Sequence, residues 1–141
     1  MEGVVKFERG SGFVELRDID EAPPGPGQVK VEVKAAGICG SDLHIYHDTI
    51  NYNIRTPVVM GHEFAGIVVD KGDGVGDEVS IGDRVTGEPS ITICGTCDYC
   101  RGGHYNMCPE RKVMGYYHDG CFAPYVNATF VHKLPDSVTF E

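Results

Sequence analysis

Four cysteines in one short run, Cys94, Cys97, Cys100 and Cys108, constrain this chain more than any other feature. The run reads Cys94-Gly-Thr-Cys97-Asp-Tyr-Cys100-Arg-Gly-Gly-His-Tyr-Asn-Met-Cys108. Short gaps let three successive thiolates turn back on one another, and the longer gap brings the fourth round to close a tetrahedron. Gly95, Gly102 and Gly103 give the backbone the freedom so tight a wrap demands. Four sulfur ligands leave no open position, so a zinc held here is structural and performs no chemistry. Disulfides or an iron–sulfur cluster are the alternatives that the spacing leaves open.

The remaining composition narrows the class of protein. A chain of 141 residues is of single-domain size, and its amino terminus, Met-Glu-Gly-Val-Val-Lys, lacks the apolar stretch of a signal peptide. No apolar run reaches membrane-spanning length. Six cysteines without an export signal point to a reducing cytoplasm. The formal net charge of −9 argues against nucleic acid and anionic membrane as partners. A dinucleotide would need a local basic or helix-dipole site. The glycines at 72, 74 and 76 do not supply one, because the third comes one residue early and Asp73, Asp77 and Glu78 would repel phosphate. That stretch reads as a hairpin turn.

The predicted elements are mostly β. Val4 to Glu8 and Phe13 to Leu16 read as a small hairpin about Gly10-Ser11-Gly12. From Gln28 to Ala36 the residues alternate, with Val29, Val31, Val33 and Ala35 on one face and Lys30, Glu32 and Lys34 on the other, a solvated one. Further strands are expected at Glu63 to Val69, Arg84 to Gly87, Phe122 to Val126 and Thr129 to Leu134. Many short strands at this spacing predict a closed or partly open barrel.

A second group lies upstream, in Gly37-Ile38-Cys39-Gly40-Ser41-Asp42-Leu43-His44 and Gly61-His62-Glu63. Cys39 and His62 offer a thiolate and an imidazole, ligand types that zinc prefers. Taken alone, such a pair is more often part of a core than a metal site. With the stretches GICGSDLH, GHEFAG, VSIGDRV, CGTCDYCRGGHYNMC, DGCFAPYV and KLPDSVTFE in order along it, the chain resembles the catalytic domain of the zinc-dependent medium-chain alcohol dehydrogenase family. The closest likeness is to the branch that holds threonine 3-dehydrogenase and the sorbitol-type polyol dehydrogenases.

That resemblance implies a GroES-like, partly open β-barrel over residues 1–141, with a cysteine-rich structural zinc lobe over 89–114. It implies a catalytic zinc on Cys39 and His62, with Glu63 a third ligand or just behind the metal, and a structural zinc on Cys94, Cys97, Cys100 and Cys108. Asp42 matches the carboxylate that orients the ligating imidazole. Ser41 and His44 match the hydroxyl and imidazole that pass the alcohol proton to solvent. The implied activity is NAD- or NADP-linked oxidation of a secondary alcohol, such as a polyol or threonine, by a homo-oligomer, a dimer or tetramer. Members of the family also carry a dinucleotide-binding domain, which this chain is expected to lack; as an amino-terminal piece it would be inactive alone and would hold its second metal weakly. Gly40 departs from the basic residue of classical alcohol dehydrogenases, and Pro124 stands where the family often has glutamate. Tyr46, His47, Tyr116 and Tyr117 are pocket candidates, His104 is expected to be exposed, and Cys121 to be a packed free thiol. A zinc hydrolase with Glu63 as general base, working without a nicotinamide, and a non-catalytic zinc-stabilised barrel are the competing readings.

Overall fold

Strand dominates the ordered backbone of the computed structural model, which describes residues 1–140. The expected hairpin forms from β1 (Glu2–Lys6) and β2 (Val14–Asp18), paired antiparallel from Glu2↔Asp18 to Lys6↔Val14. Its turn is closed from inside. Lys6 is fully buried, and its ammonium donates to the carbonyls of Gly10, of Gly12 at 2.6 Å and of Tyr46 at 3.3 Å. Burial lowers the lysine's pKa, and the three carbonyls replace the water that a buried cation would otherwise lack.

The central pair is β3 (Val29–Gly37) with β5 (Glu63–Lys71), running antiparallel from Val29↔Lys71 to Gly37↔Glu63. With β6 (Arg84–Gly87), β9 (Tyr125–Ala128) and β10 (Val131–Lys133) they make a five-stranded sheet in the order β10-β6-β5-β3-β9. The two-residue β4 (Val58–Val59) adds to β1 as the third strand of the hairpin sheet. The glycine-rich stretch at 72–76 lies between antiparallel β5 and β6, as a turn.

One expectation about β3 fails. Lys34 is exposed, but Lys30 is only 8% exposed and pairs with Glu21 at 2.9 Å. The alternation itself holds here, with Val29 and Val31 both in the main core; Lys30 lies on the opposite face, which the segment of Glu21, Ala22 and Pro23 covers instead of water.

Residues 120–124 stitch the two sheets together. Phe122 donates its N–H to Met60 O at 2.9 Å and accepts from Val4 N at 2.9 Å, while Pro124 O accepts from Val33 N at 2.9 Å. The main core holds Val29, Val31, Phe64, Val68, Val85 and Val126; a second cluster of Ile45, Ile54, Val58 and Met60 lies beside β4. The Phe122 ring packs against both, so the sheets share one apolar interior. That is the partly open barrel the sequence predicts. Cys121, 1% exposed, is packed into the main core with its thiol pushed up to about 12 by burial.

Several short elements went unforeseen. A short helix α1 (Gly40–Tyr46) follows β3 directly. β7 (Ser90–Thr92) pairs with β8 (Lys112–Val113), closing the base of the cysteine-rich lobe.

Candidate functional site

In the lobe, the four sulfurs of Cys94, Cys97, Cys100 and Cys108 lie within 4.8 Å of one another. Zinc–sulfur bonds of about 2.3 Å put tetrahedral thiolates about 3.8 Å apart. The separations are 3.9 Å for Cys94–Cys100 and 3.6 Å for Cys94–Cys108. A disulfide needs about 2.05 Å, and all six cysteines are free. The distances fit a four-thiolate metal centre and do not fit disulfides.

The wrap is built locally. Gly95 takes φ +70, which turns the chain back after Cys94. Cys97 caps the single-turn α2 (Asp98–Arg101), its sulfur accepting from Cys100 N at 3.5 Å. Backbone N–H groups of Thr96 and Cys97 pull the Cys94 thiol down to about 6, whereas burial pushes Cys100 up. The lobe has almost no apolar interior of its own: within it only Ser90, Ile91, Cys108 and Met114 are buried, three of them in or beside the β7–β8 base. A metal held by the sulfurs would supply the cross-link that this thin interior lacks. His104 is exposed, as expected.

The second cluster sits where the β3–β5 ladder ends. Cys39 lies two residues beyond Gly37 and His62 one residue before Glu63, the last paired positions. The register thus delivers ligands from two distant loops to one point, where the donor atoms of Cys39, His62 and Glu63 lie within 4.8 Å of one another. Gly37 makes room for the carboxylate, since a Cβ there would stand 2.6 Å from Glu63 Oε2. Gly61, at φ +90 with its α-carbon against the Phe122 ring, sets the turn into His62.

Asp42 holds both loops. It is 3% exposed; Oδ2 accepts from Cys39 N at 2.8 Å, and Oδ1 faces His62 Nδ1 at 3.4 Å. That second contact is longer than a full hydrogen bond, yet neither atom has another partner. The carboxylate raises the imidazole's pKa, and its place opposite Nδ1 favours a proton on that nitrogen, with Nε2 facing the cluster. Ser41 Oγ is 3.2 Å from Nε2. Hydrogen bonds from Ser41, with His62 also contributing, lower the Cys39 pKa. A soft thiolate, a borderline imidazole and a carboxylate, with one oriented nitrogen, form a donor set that suits zinc and keeps a fourth position free.

The structure separates some residues grouped in the sequence. His44 is exposed and bonds Thr49 Oγ1 at 3.0 Å, so Ser41 and His44 are each engaged elsewhere. Tyr46 and His47 pack on each other edge to face, while Tyr116 and Tyr117 line a cavity of about 640 Å³ beside His62. Tyr52, Asn53, Arg111 and Lys112 line it too. Sequence reading missed these four; the one available signal was a basic pair just after Cys108 in an acidic chain. Among the described residues no helix is long and apolar enough to cross a membrane.

Residues 25–136 match the alcohol dehydrogenase GroES-like domain. Sorbitol dehydrogenase of Halalkalibacterium halodurans is 44% identical over 98% of this chain and 40% of its own length. D-arabitol-phosphate dehydrogenase of Enterococcus avium is 43% identical over 100% and 40%, and L-threonine 3-dehydrogenase of Pyrococcus horikoshii 42% over 100% and 41%. The crystal structure of an NAD-dependent alcohol dehydrogenase superposes with a TM-score of 0.88 at 30% identity, over 100% of this chain and 41% of that one. The chain spans about 40% of the length of the relatives it matches.

Proposed function

Because the chain belongs to the alcohol dehydrogenase GroES-like domain family, we propose that it is the metal-bearing, alcohol-binding part of a zinc-dependent, NAD(P)-linked dehydrogenase that oxidises a secondary alcohol to a ketone. The observation that carries this reading is the convergence of Cys39, His62 and Glu63 at the end of the β3–β5 ladder, beside a cavity. In it, Cys39, His62 and Glu63 hold a catalytic zinc, and Cys94, Cys97, Cys100 and Cys108 hold a structural one within the lobe of residues 89–114. Zinc at the first site supplies Lewis acidity toward an alcohol oxygen, favouring loss of the hydroxyl proton near neutral pH.

The chain's own groups do the rest. Asp42 fixes the tautomer and direction of His62. Ser41 bonds Nε2; were that nitrogen a metal ligand, the hydroxyl would be free to accept the alcohol proton while releasing its own, and His44, exposed three residues on along the same helix, would carry the released proton to water. Tyr116, half-buried beside His62 with ring centroids 5.6 Å apart, shields this end of the cleft. Gly72, Gly74 and Gly76 form a turn between antiparallel strands and cannot cradle a pyrophosphate. We place the nicotinamide site in the part of the relatives' length that this chain does not span. The names of the relatives leave polyols, polyol phosphates and threonine as substrate classes. Six free cysteines suit a reducing cytoplasm, and the homo-oligomer is carried over from the family likeness alone.

Cobalt(II) titration of the metal-free chain tests the reading. Two sites are expected: a tight one with four-thiolate absorption, and a weaker one that Cys39→Ser abolishes while leaving the first intact. A Cys39→Ser chain with the parent's cobalt count and spectrum would overturn it.

A further inference from the structure

The cavity beside His62 is charged in the wrong sense for its surroundings. The whole chain carries −9, yet no aspartate or glutamate lines this cleft, and its two charged lining residues are Arg111 and Lys112. Among the described residues neither cation has a carboxylate partner. Arg111 is held instead by Nε donating to Ser90 Oγ at 2.6 Å, on a serine that is 1% exposed. Lys112 stands over the Tyr117 ring, Nζ 4.3 Å from its centroid. Both are anchored by neutral groups and no carboxylate neutralises them; the one source of negative charge in the lining is Cys108, if its sulfur is a thiolate of the lobe's metal centre. Asn53, Asn106, Tyr52, Tyr116 and Tyr117 also line it.

We propose that this cleft selects a polyol carrying a terminal phosphate monoester, with Arg111 and Lys112 receiving the phosphate and the reacting hydroxyl lying toward His62. The inference rests on the dehydrogenase reading above and names the substrate class of that same site. A monoester carries a charge of about −1.5 to −2 at neutral pH, which matches two cations, and a guanidinium can grip two of its oxygens at once. Asparagine and tyrosine groups suit the hydroxyls of the intervening carbons. A cavity of about 640 Å³ is within the ordinary range for a small-ligand site. Free threonine could give these cations its carboxylate, but the lining offers no carboxylate to receive its ammonium. The two cations follow the lobe ligand Cys108 by three and four residues. The structural metal therefore also fixes the far wall of the substrate cleft.

The experiment is equilibrium binding by calorimetry to the zinc-loaded chain, with a pentitol 5-phosphate, the free pentitol, the corresponding aldonate and L-threonine as probes. The phosphate is expected to bind at least about tenfold more tightly than the pentitol, and Arg111→Gln and Lys112→Gln each to remove about tenfold of that affinity. Affinity for the free pentitol should move less than about twofold, and higher salt should weaken only the anionic probes. Arg111 contacts buried Ser90, so Lys112→Gln, whose side chain only covers a ring, keeps the test sound if the arginine variant misfolds. Equal affinity for pentitol and phosphate, a tighter aldonate or threonine, or both variants retaining phosphate binding would overturn the proposal. The Cys39-dependent cobalt signal is measured on the same samples. Its loss would sink the dehydrogenase reading, while its presence without phosphate preference would sink only this one.

Discussion

Replacing Asp42 by asparagine isolates the group that ties the two ligand loops together. The carboxylate is 3% exposed and has two tasks, accepting from Cys39 N at 2.8 Å and facing His62 Nδ1 at 3.4 Å. Asparagine has one oxygen for both. A backbone N–H left without an acceptor in a buried site costs about 1–3 kcal/mol, and it cannot change its protonation. The imidazole can. The oxygen therefore stays on Cys39, the amide NH₂ turns to Nδ1, and the ring proton moves to Nε2, the nitrogen that faces Ser41 and the metal cluster. Loss of such a supporting partner typically weakens metal binding by about 10–100-fold, or about 1.4–2.7 kcal/mol. Competition between the Asp42→Asn chain and a chelator for cobalt measures this directly, with the four-thiolate band of the lobe as an internal control. Urea stability of the metal-free chain should change little, because the cap to Cys39 is retained. A second-site affinity within about twofold of the parent's would refute the claim that Asp42 sets the tautomer of His62.

The other expectations concern stability. Gly61→Ala places a methyl against the Phe122 ring, 2.7 Å from its Cγ, at φ +90. A left-handed residue costs about 1–2 kcal/mol and overpacking about 1–3; a loss below about 1 kcal/mol in urea melts would contradict this packing. Chelation, or Cys108→Ser, should expose residues 89–114 to protease while the five-stranded sheet stays folded, as read by hydrogen exchange. Uniform protection after metal removal would show that the lobe does not depend on its sulfurs. His118 is half-buried, and burial together with Lys112 and Arg55 lowers its pKa. The unfolded chain then takes up a proton that the folded chain refuses, so this contribution is whole above about pH 6.5 and is lost as pH falls below it. His118→Gln should flatten that slope in melts at about pH 5 and pH 7; an unchanged slope would exclude His118 as its source.

How much of this was legible depends on whether a residue's neighbours lie close in the chain. The lobe ligands were readable because four thiolates within one short run can meet only around a common centre. The β3–β5 pair was readable from its valines, and the meeting of Cys39 and His62 from the motifs around them. Lys30 was misread because the alternating pattern gives its face correctly but cannot show that the remote segment carrying Glu21 covers that face. Helix α1 was missed because its supports are remote: Asp42 caps it within the loop, but its last carbonyl is taken by Lys6 from the opposite sheet. Arg111 and Lys112 gave no cleft signal, since only the lobe's docking beside His62 makes them a wall.

The same geometry explains why the site depends on the barrel rather than on its motifs. An antiparallel ladder fixes which residues leave a sheet together, and here Gly37 and Glu63 leave as a pair. Whatever follows one and precedes the other must meet, so a cysteine two residues on and a histidine one residue back become neighbours. Slipping that pairing by one residue would turn Glu63 to the other face of the sheet and take it out of the cluster. The hydrogen bonds of Phe122 and Pro124 to both sheets resist such a slip from outside the ladder, and the glycine at 61 lets the Phe122 ring come close enough to do so. The donor set is therefore held by backbone pairing laid down well away from it. Side-chain chemistry at the cluster is left to do one thing, which is to orient a single imidazole.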